Sequence, residues 1–197
     1  MLTLVSCFGG SGNGDSLDSL STEELTTKGW NFFTNQNFNE AERHFDALTR
    51  KEDGYLVGHY GLGWTFIRKH NYVNARNEFV KFTTTDSLGV YNQSDIVFIN
   101  VRAGQMIAAH VLSEHQNAIT YSNTIPATWV FSHDTRIDIT DIRLFRAYSQ
   151  CAVNSFAAAL TTVRLIDPTF ETDVATLEGR IRLFEKIEQL FVSRSWS

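Results

Sequence analysis

The sequence predicts an all-α protein made of repeated helix-turn-helix units, and three observations lead to that class. First, GWNFFTNQNFNEAERHF (29–45) returns 34 positions later within GLGWTFIRKHNYVNARNEF (61–79), so that Gly29 aligns with Gly63, Trp30 with Trp64, Phe32 with Phe66, Asn37 with Asn71, Ala41 with Ala75 and Phe45 with Phe79. Second, Phe38, Ala41, Phe45 and Leu48 fall on one helical face, and Tyr72, Ala75, Phe79 and Phe82 repeat that stripe one unit later. Third, helix-start signals sit where the pattern needs them. Ser21-Thr22-Glu23-Glu24 reads as a capping box, and Asn37 and Asn71 lie at the turn that precedes each second helix, a place their side chains suit.

These signals divide the chain into a start segment over 1–20 and a helical domain over 21–197, with a first unit at about 22–55 and a second at about 56–89. In both units a glycine (Gly29, Gly63) precedes an aromatic (Phe32, Phe66) by three residues. A small residue (Ala41, Ala75) and a further aromatic (Phe45, Phe79) follow at fixed distances. Small residues let two helix backbones approach, and large ones fill the volume around the crossing. At this period and with these packing positions, the chain resembles the tetratricopeptide repeat (TPR) family. The resemblance implies a solenoid whose first helices line a concave surface. It implies a partner-binding groove floored by Trp30 and Trp64, the residues after the repeated glycines, with Phe33, Tyr60, Ile67 and Arg68 beside them. The Lys and Asn set of a carboxylate clamp is missing there, which disfavours acidic chaperone tails as ligands.

Beyond Asp86 the pattern loosens. DIVFINVRAGQMIAAHVL and a short partner containing QNAITYSN form a degenerate third unit at about 94–125, and RLFRAYSQCAVNSFAAALTTVRLIDP forms a fourth at about 141–168, closing on Asp167-Pro168. A terminal capping helix is expected at about 171–192, with Val174, Leu177, Ile181, Phe184, Ile187 and Phe191 on the face that covers the end of the array. Between these units, ATWVFSHDTRIDITD (127–141) is an irregular insertion. It is read as a long loop in preference to a short β-hairpin turning at Asp134-Thr135.

Composition narrows the partners. A chain of 197 residues with 43% hydrophobic and 13% aromatic content can bury a substantial core. Its formal net charge of -5 argues against phosphate backbones, so nucleic acid is not an expected partner. Of two cysteines, Cys151 falls in an apolar helical run and reads as a small core residue. Cys7 ends LVSC, which resembles a bacterial lipobox, and the FGGSGNGDSLDS that follows has the composition of a flexible tether. The six residues before Cys7 do not supply the basic start and apolar core of a signal peptide. The resemblance implies lipidation at Cys7 and a place in a bacterial cell envelope, at the periplasmic face of the outer membrane. A cytoplasmic scaffold is the alternative.

Chemistry is thinly signalled. No HExxH, paired CxxC, P-loop or GxSxG occurs, so no cofactor and no metal are expected. His110 and His115 are five apart and do not share a helical face. The strongest catalytic candidate is the insertion, where His133, Asp134, Asp138 and Asp141 cluster and could serve a metal-dependent enzyme. For Trp30 and Trp64 two readings stand: an aromatic floor for a protein partner, or a core covered by the chain's own later residues. The expected function is a non-catalytic protein–protein interaction adaptor.

Overall fold

Ser21 opens the first helix as its sequence demands. Its hydroxyl accepts from the Glu24 N–H at 3.2 Å, and the Glu24 carboxylate accepts from the Ser21 N–H at 2.9 Å, which satisfies two of the backbone donors that a helix start leaves free. The computed structural model describes residues 17–86, 91 and 94–194. Among them the chain is all-helical, without a β-strand. A 3-10 turn (Leu17–Ser19) precedes α1 (Thr22–Thr34), α2 (Phe38–Leu48), α3 (Tyr55–Arg68), α4 (Tyr72–Thr85), α5 (Ile96–Val111), α6 (His115–Ser122), α7 (Ile139–Ala152), α8 (Phe156–Arg164) and α9 (Leu177–Val192). Consecutive helices from α1 to α8 pack against one another in chain order. Each odd-numbered helix also touches the next odd-numbered one, so α1, α3, α5, α7 and α9 lie side by side.

The turns inside the four helical hairpins share one backbone conformation. Gln36, His70, Ser113 and Asn154 take left-handed φ values of 60°, 57°, 62° and 61°, rare for residues with a Cβ. At each, the next N–H reaches back across the turn: Asn37 to Phe32 O, Asn71 to Phe66 O, Glu114 to Ala109 O and Ser155 to Gln150 O, at 2.7–2.9 Å. These bonds close the end of one helix in the manner of a Schellman motif. Five residues after each left-handed residue stands an alanine (Ala41, Ala75, Ala118, Ala159), each with no exposed surface. The described residues therefore hold four related hairpins. The left-handed residues are 34, then 43, then 41 positions apart, which explains why only the first interval was conspicuous in sequence.

The glycines do more than thin the helix crossing. A Cβ added at Gly29 would lie 2.7 Å from the Phe45 ring, and one at Gly61 would lie closer still. Phe45 is thus wedged between the first helix of its own unit and the first helix of the next. Phe79 repeats the arrangement between Gly63 and Gly104. Phe45, Phe79, Leu48 and Phe82 are fully buried, as the helical stripes predicted.

One expectation needs correction, and the insertion keeps the loop reading. The C-terminal helix starts at Leu177, because Thr176 caps it by accepting from the Gly179 N–H at 3.0 Å. Its buried face carries Leu183 and Ile187, whereas Leu177 and Ile181 are 74% and 50% exposed. The helix has apolar residues on two adjacent faces, and periodicity alone does not choose between them. The insertion forms no strand. It closes through one isolated antiparallel bridge, Val130 with Asp138, with Phe131 N–H donating to Ile137 O and Ile139 N–H to Trp129 O, both at 3.0 Å.

Candidate partner-binding groove

The six residues expected to line a groove do come together, on neighbouring faces of α1 and α3, but the surface they make is not open. Trp64 is fully buried, and Phe33, Tyr60 and Ile67 are nearly so. Trp30 and Arg68 are only partly covered. The cover is supplied by this chain's own insertion. Trp129, Phe131 and His133, at alternate positions, turn onto the helices, while Val130 and Ser132 between them face solvent. The chain is extended from Trp129 to Phe131 and then turns at Ser132 and His133, where the Asp134 N–H bonds back to Phe131 O at 3.0 Å. Phe131 stacks on Trp64 with ring centres 3.8 Å apart, and His133 stacks on Trp30 at 3.6 Å with nearly parallel planes. The edges of Phe33 and Trp30 close around Phe131.

Polar contacts fix the segment in register. Trp129 Nε1 donates to Asn100 Oδ1 at 2.8 Å, and Asn100 Nδ2 donates to the Tyr60 hydroxyl at 2.9 Å, a buried relay that joins α3, α5 and the insertion. Burial pushes the Tyr60 phenol above its ordinary range, so it stays neutral. At the tip, Arg68 pairs with Asp134 at 2.9 Å, and Arg136 pairs with the same carboxylate at 2.8 Å. Burial pushes the Asp134 carboxyl up, but the hydrogen bond from Arg136 and the charge of Arg68 outweigh it and hold the group below its usual value. At the base, Arg194, just past α9, donates to both oxygens of the fully buried Asp141 at 2.8 and 2.6 Å, pairs with Asp138 at 3.0 Å and reaches Arg136 O at 3.2 Å. One donor is left over: Trp64 Nε1 is buried without a hydrogen-bond partner.

The acidic and histidine residues singled out as catalytic candidates have other work. Asp138 and Asp141 form the capping box of α7, Asp138 accepting from the Thr140 N–H at 2.7 Å and Asp141 from the Asp138 N–H at 2.9 Å. His133 is sandwiched on Trp30, and burial lowers its pKa to about 4, which keeps it neutral near pH 7. Among the described residues no three His, Cys, Asp or Glu side chains are placed to hold a metal ion.

A different histidine pair was missed in sequence. His110 ends α5 and His115 starts α6, and the left-handed turn at Ser113 folds them back until both Nδ1 atoms face the buried Ser149 hydroxyl of α7, at 2.9 and 3.4 Å. Counting positions along one helix could not find them, because the helix ends between them. Burial, with help from His115, lowers the His110 pKa to about 4. Two further histidines are interior: His44 Nδ1 donates to Glu40 O at 2.7 Å, and His59 Nδ1 meets Glu78 Oε2 at 2.6 Å. Cys151 is buried, and burial raises its thiol to about 11, in keeping with a core role. Cys7 and most of the tether lie outside the described residues.

No protein-family profile matches the chain, and no curated protein or solved structure matches it significantly. A functional reading therefore has to be built from the groove itself.

Proposed function

We propose that this chain is a non-catalytic protein–protein interaction scaffold of the tetratricopeptide kind, held to a bacterial envelope membrane through Cys7, and that the aromatic groove across α1, α3 and α5 is its recognition surface. The observation that carries the reading is the groove's own content: an aromatic turn already lies in it, seated by Phe131 on Trp64 and His133 on Trp30 and oriented by an ion pair to Arg68. A surface that holds one turn segment in this way has two features of a peptide-recognition site, aromatic anchors in desolvated pockets and a charged group that sets direction. Four hairpins with identical turns supply a rigid frame, so little ordering is needed on binding. The tether composition after Cys7 would place that frame away from a membrane surface.

The test is site-specific photo-crosslinking in native cells, with a photoreactive residue at Trp30 in the groove and at Tyr148, which is exposed on α7. A discrete adduct to one protein from either position supports a scaffold, and its absence from both removes the reading. Acylation is tested separately by the intact mass of the membrane-fraction protein. A mass that begins at an acylated Cys7 is expected, and an unmodified chain in the soluble fraction would leave a cytoplasmic scaffold.

A further inference from the structure

Resting on the scaffold reading, we infer that residues 129–138 are an in-cis occupant of the groove, and that the displacing partner presents a turn of the same chemistry: bulky aromatics at alternate positions followed by a carboxylate for Arg68.

Three observations bear on displacement. Four backbone bonds close the insertion on itself. Phe131 N–H bonds to Ile137 O, Ile137 N–H to Asp134 O, Asp134 N–H to Phe131 O and Ile139 N–H to Trp129 O. Its hydrogen bonds and ion pairs to α1, α3 and α5 use side chains: Trp129 on Asn100, Arg68 on Asp134, and a long bond from the Thr34 hydroxyl to His133 O at 3.4 Å. Opening the groove therefore breaks no helix backbone bond, and the segment can leave as a closed clip. Second, the fit of the occupant is incomplete. A surface pocket lined by Phe33, Thr34, Gln36, Ser132 and Thr135 separates the tip of the clip from the end of α1, giving an incoming chain an edge to enter by.

The third observation concerns specificity. The carboxylate of Asp134, one residue beyond His133, is the charge that Arg68 faces. The guanidinium also stands over the Phe38 ring at 5.5 Å, so it is held in place from α2. A competing segment that lacks a carboxylate at this position would leave Arg68, whose side chain is 14% exposed, without its counter-charge. The groove thus discriminates by aromatic spacing and by the acid that follows. The tethered clip competes at high effective concentration, so a free segment is held weakly until the clip opens.

The experiment uses the full chain and a labelled synthetic peptide of residues 127–138. In a Trp129→Ser/Phe131→Ser variant the clip loses its anchors while the groove floor is untouched. The peptide should bind this variant saturably, and at least about tenfold more tightly than it binds the wild type, because the competent fraction rises. Adding Arg68→Ala should weaken it about tenfold, as for a buried charged hot spot. A variant that keeps its helical circular dichroism yet binds no peptide, or binds it no better than wild type, overturns the inference. Native-state hydrogen exchange on the wild type covers the case in which the variant does not fold. The indole N–H of Trp129, which is bonded across to Asn100 on α5, should then exchange at least about tenfold faster than the amides in the middle of α3, through local opening. Exchange at the α3 rate means the clip opens only with global unfolding and overturns the idea. Loss of the clip result with crosslinks retained at Tyr148 would sink the inference alone; loss of both would sink the scaffold reading as well.

Discussion

The first two hairpins and the last two have the same turns and different interiors. In the first pair, nine residues after the left-handed turn residue, stand Phe45 and Phe79, each wedged against glycines of two successive first helices. In the second pair the same position holds Ser122 and Val163. Both pairs keep the buried alanine and the backbone bond that closes the turn. The difference teaches that the helical hairpin is specified by the turn and by one small residue. The larger packing residues are free to follow what each unit must lie against. For the first pair that is the next helix and a groove. For the second it is a shorter second helix and α9.

Substitutions at equivalent positions should break this equivalence, and the largest contrast belongs to the aromatic wedge. Phe79→Ala should cost about 3–5 kcal/mol by denaturant unfolding, while Ser122→Ala should change stability by less than about 1 kcal/mol. Equal costs would mean that the wedge is not what holds the first pair together. Trp64→Ala belongs with the large losses, at about 3–5 kcal/mol, since Trp64 is fully buried beneath Phe131. Trp30, half covered, is the cleaner probe of recognition.

Next in size, Arg194→Ala should lower stability by about 2–3 kcal/mol, because it leaves the buried Asp141 carboxylate without its cation. This tests whether α9 secures the base of the insertion. Removing only the exposed partner in the Arg43–Glu40 pair should change less than about 0.5 kcal/mol. Gly61→Ala sharpens the wedge comparison from the other side. The new methyl would meet the Phe45 ring, at about 1–3 kcal/mol of overpacking, whereas a gain in stability would show that Phe45 has room to move.

The two halves should also share a pH response. His133 in the groove and His110 beside Ser149 both have folded pKa values lowered to about 4 from an ordinary 6.5. The unfolded chain therefore takes up protons first as pH falls, and stability is lost between about pH 6.5 and 4. With both groups partly reached by solvent, about 1 kcal/mol each is expected between pH 7 and 5. His133→Gln and His110→Gln should each flatten the melting temperature against pH over that window. A contrast of similar size lies at the caps. Asn71 accepts from the Asn74 N–H at 3.3 Å, and Ser155, its counterpart, makes no side-chain cap bond. Asn71→Ala should thus cost about 1 kcal/mol and Ser155→Ala close to nothing.

How much could be read in advance follows from how local each signal is. The capping box at Ser21, the caps at Asn37 and Asn71 and the stripe through Phe45 and Phe79 are set by residues three, four or 34 apart, and all appear in the fold where expected. At Ser113 the left-handed conformation is imposed on a residue type that seldom adopts it, so no local signal marks the turn; Asn154 belongs to a type enriched there, but without the 34-residue interval nothing singles it out. The buried alanine five residues on was a usable marker that a fixed period of 34 concealed. The face of α9 was misjudged for want of a partner to choose between two apolar stripes. The cover over Trp30 and Trp64 was out of reach: Phe131 meets Trp64, and Arg194 meets Asp141, across 67 and 53 positions.

By itself, then, the sequence determined an all-helical chain of repeated hairpins, because capping, periodicity and small-against-large spacing act within a turn or within one repeat. Only the tertiary structure decided that the aromatic floor is occupied, that the acids of the insertion cap a helix and bind Arg194, and that two histidines meet at one serine. Those outcomes depend on which distant surfaces can exclude water together, and that choice is made by the packed chain as a whole.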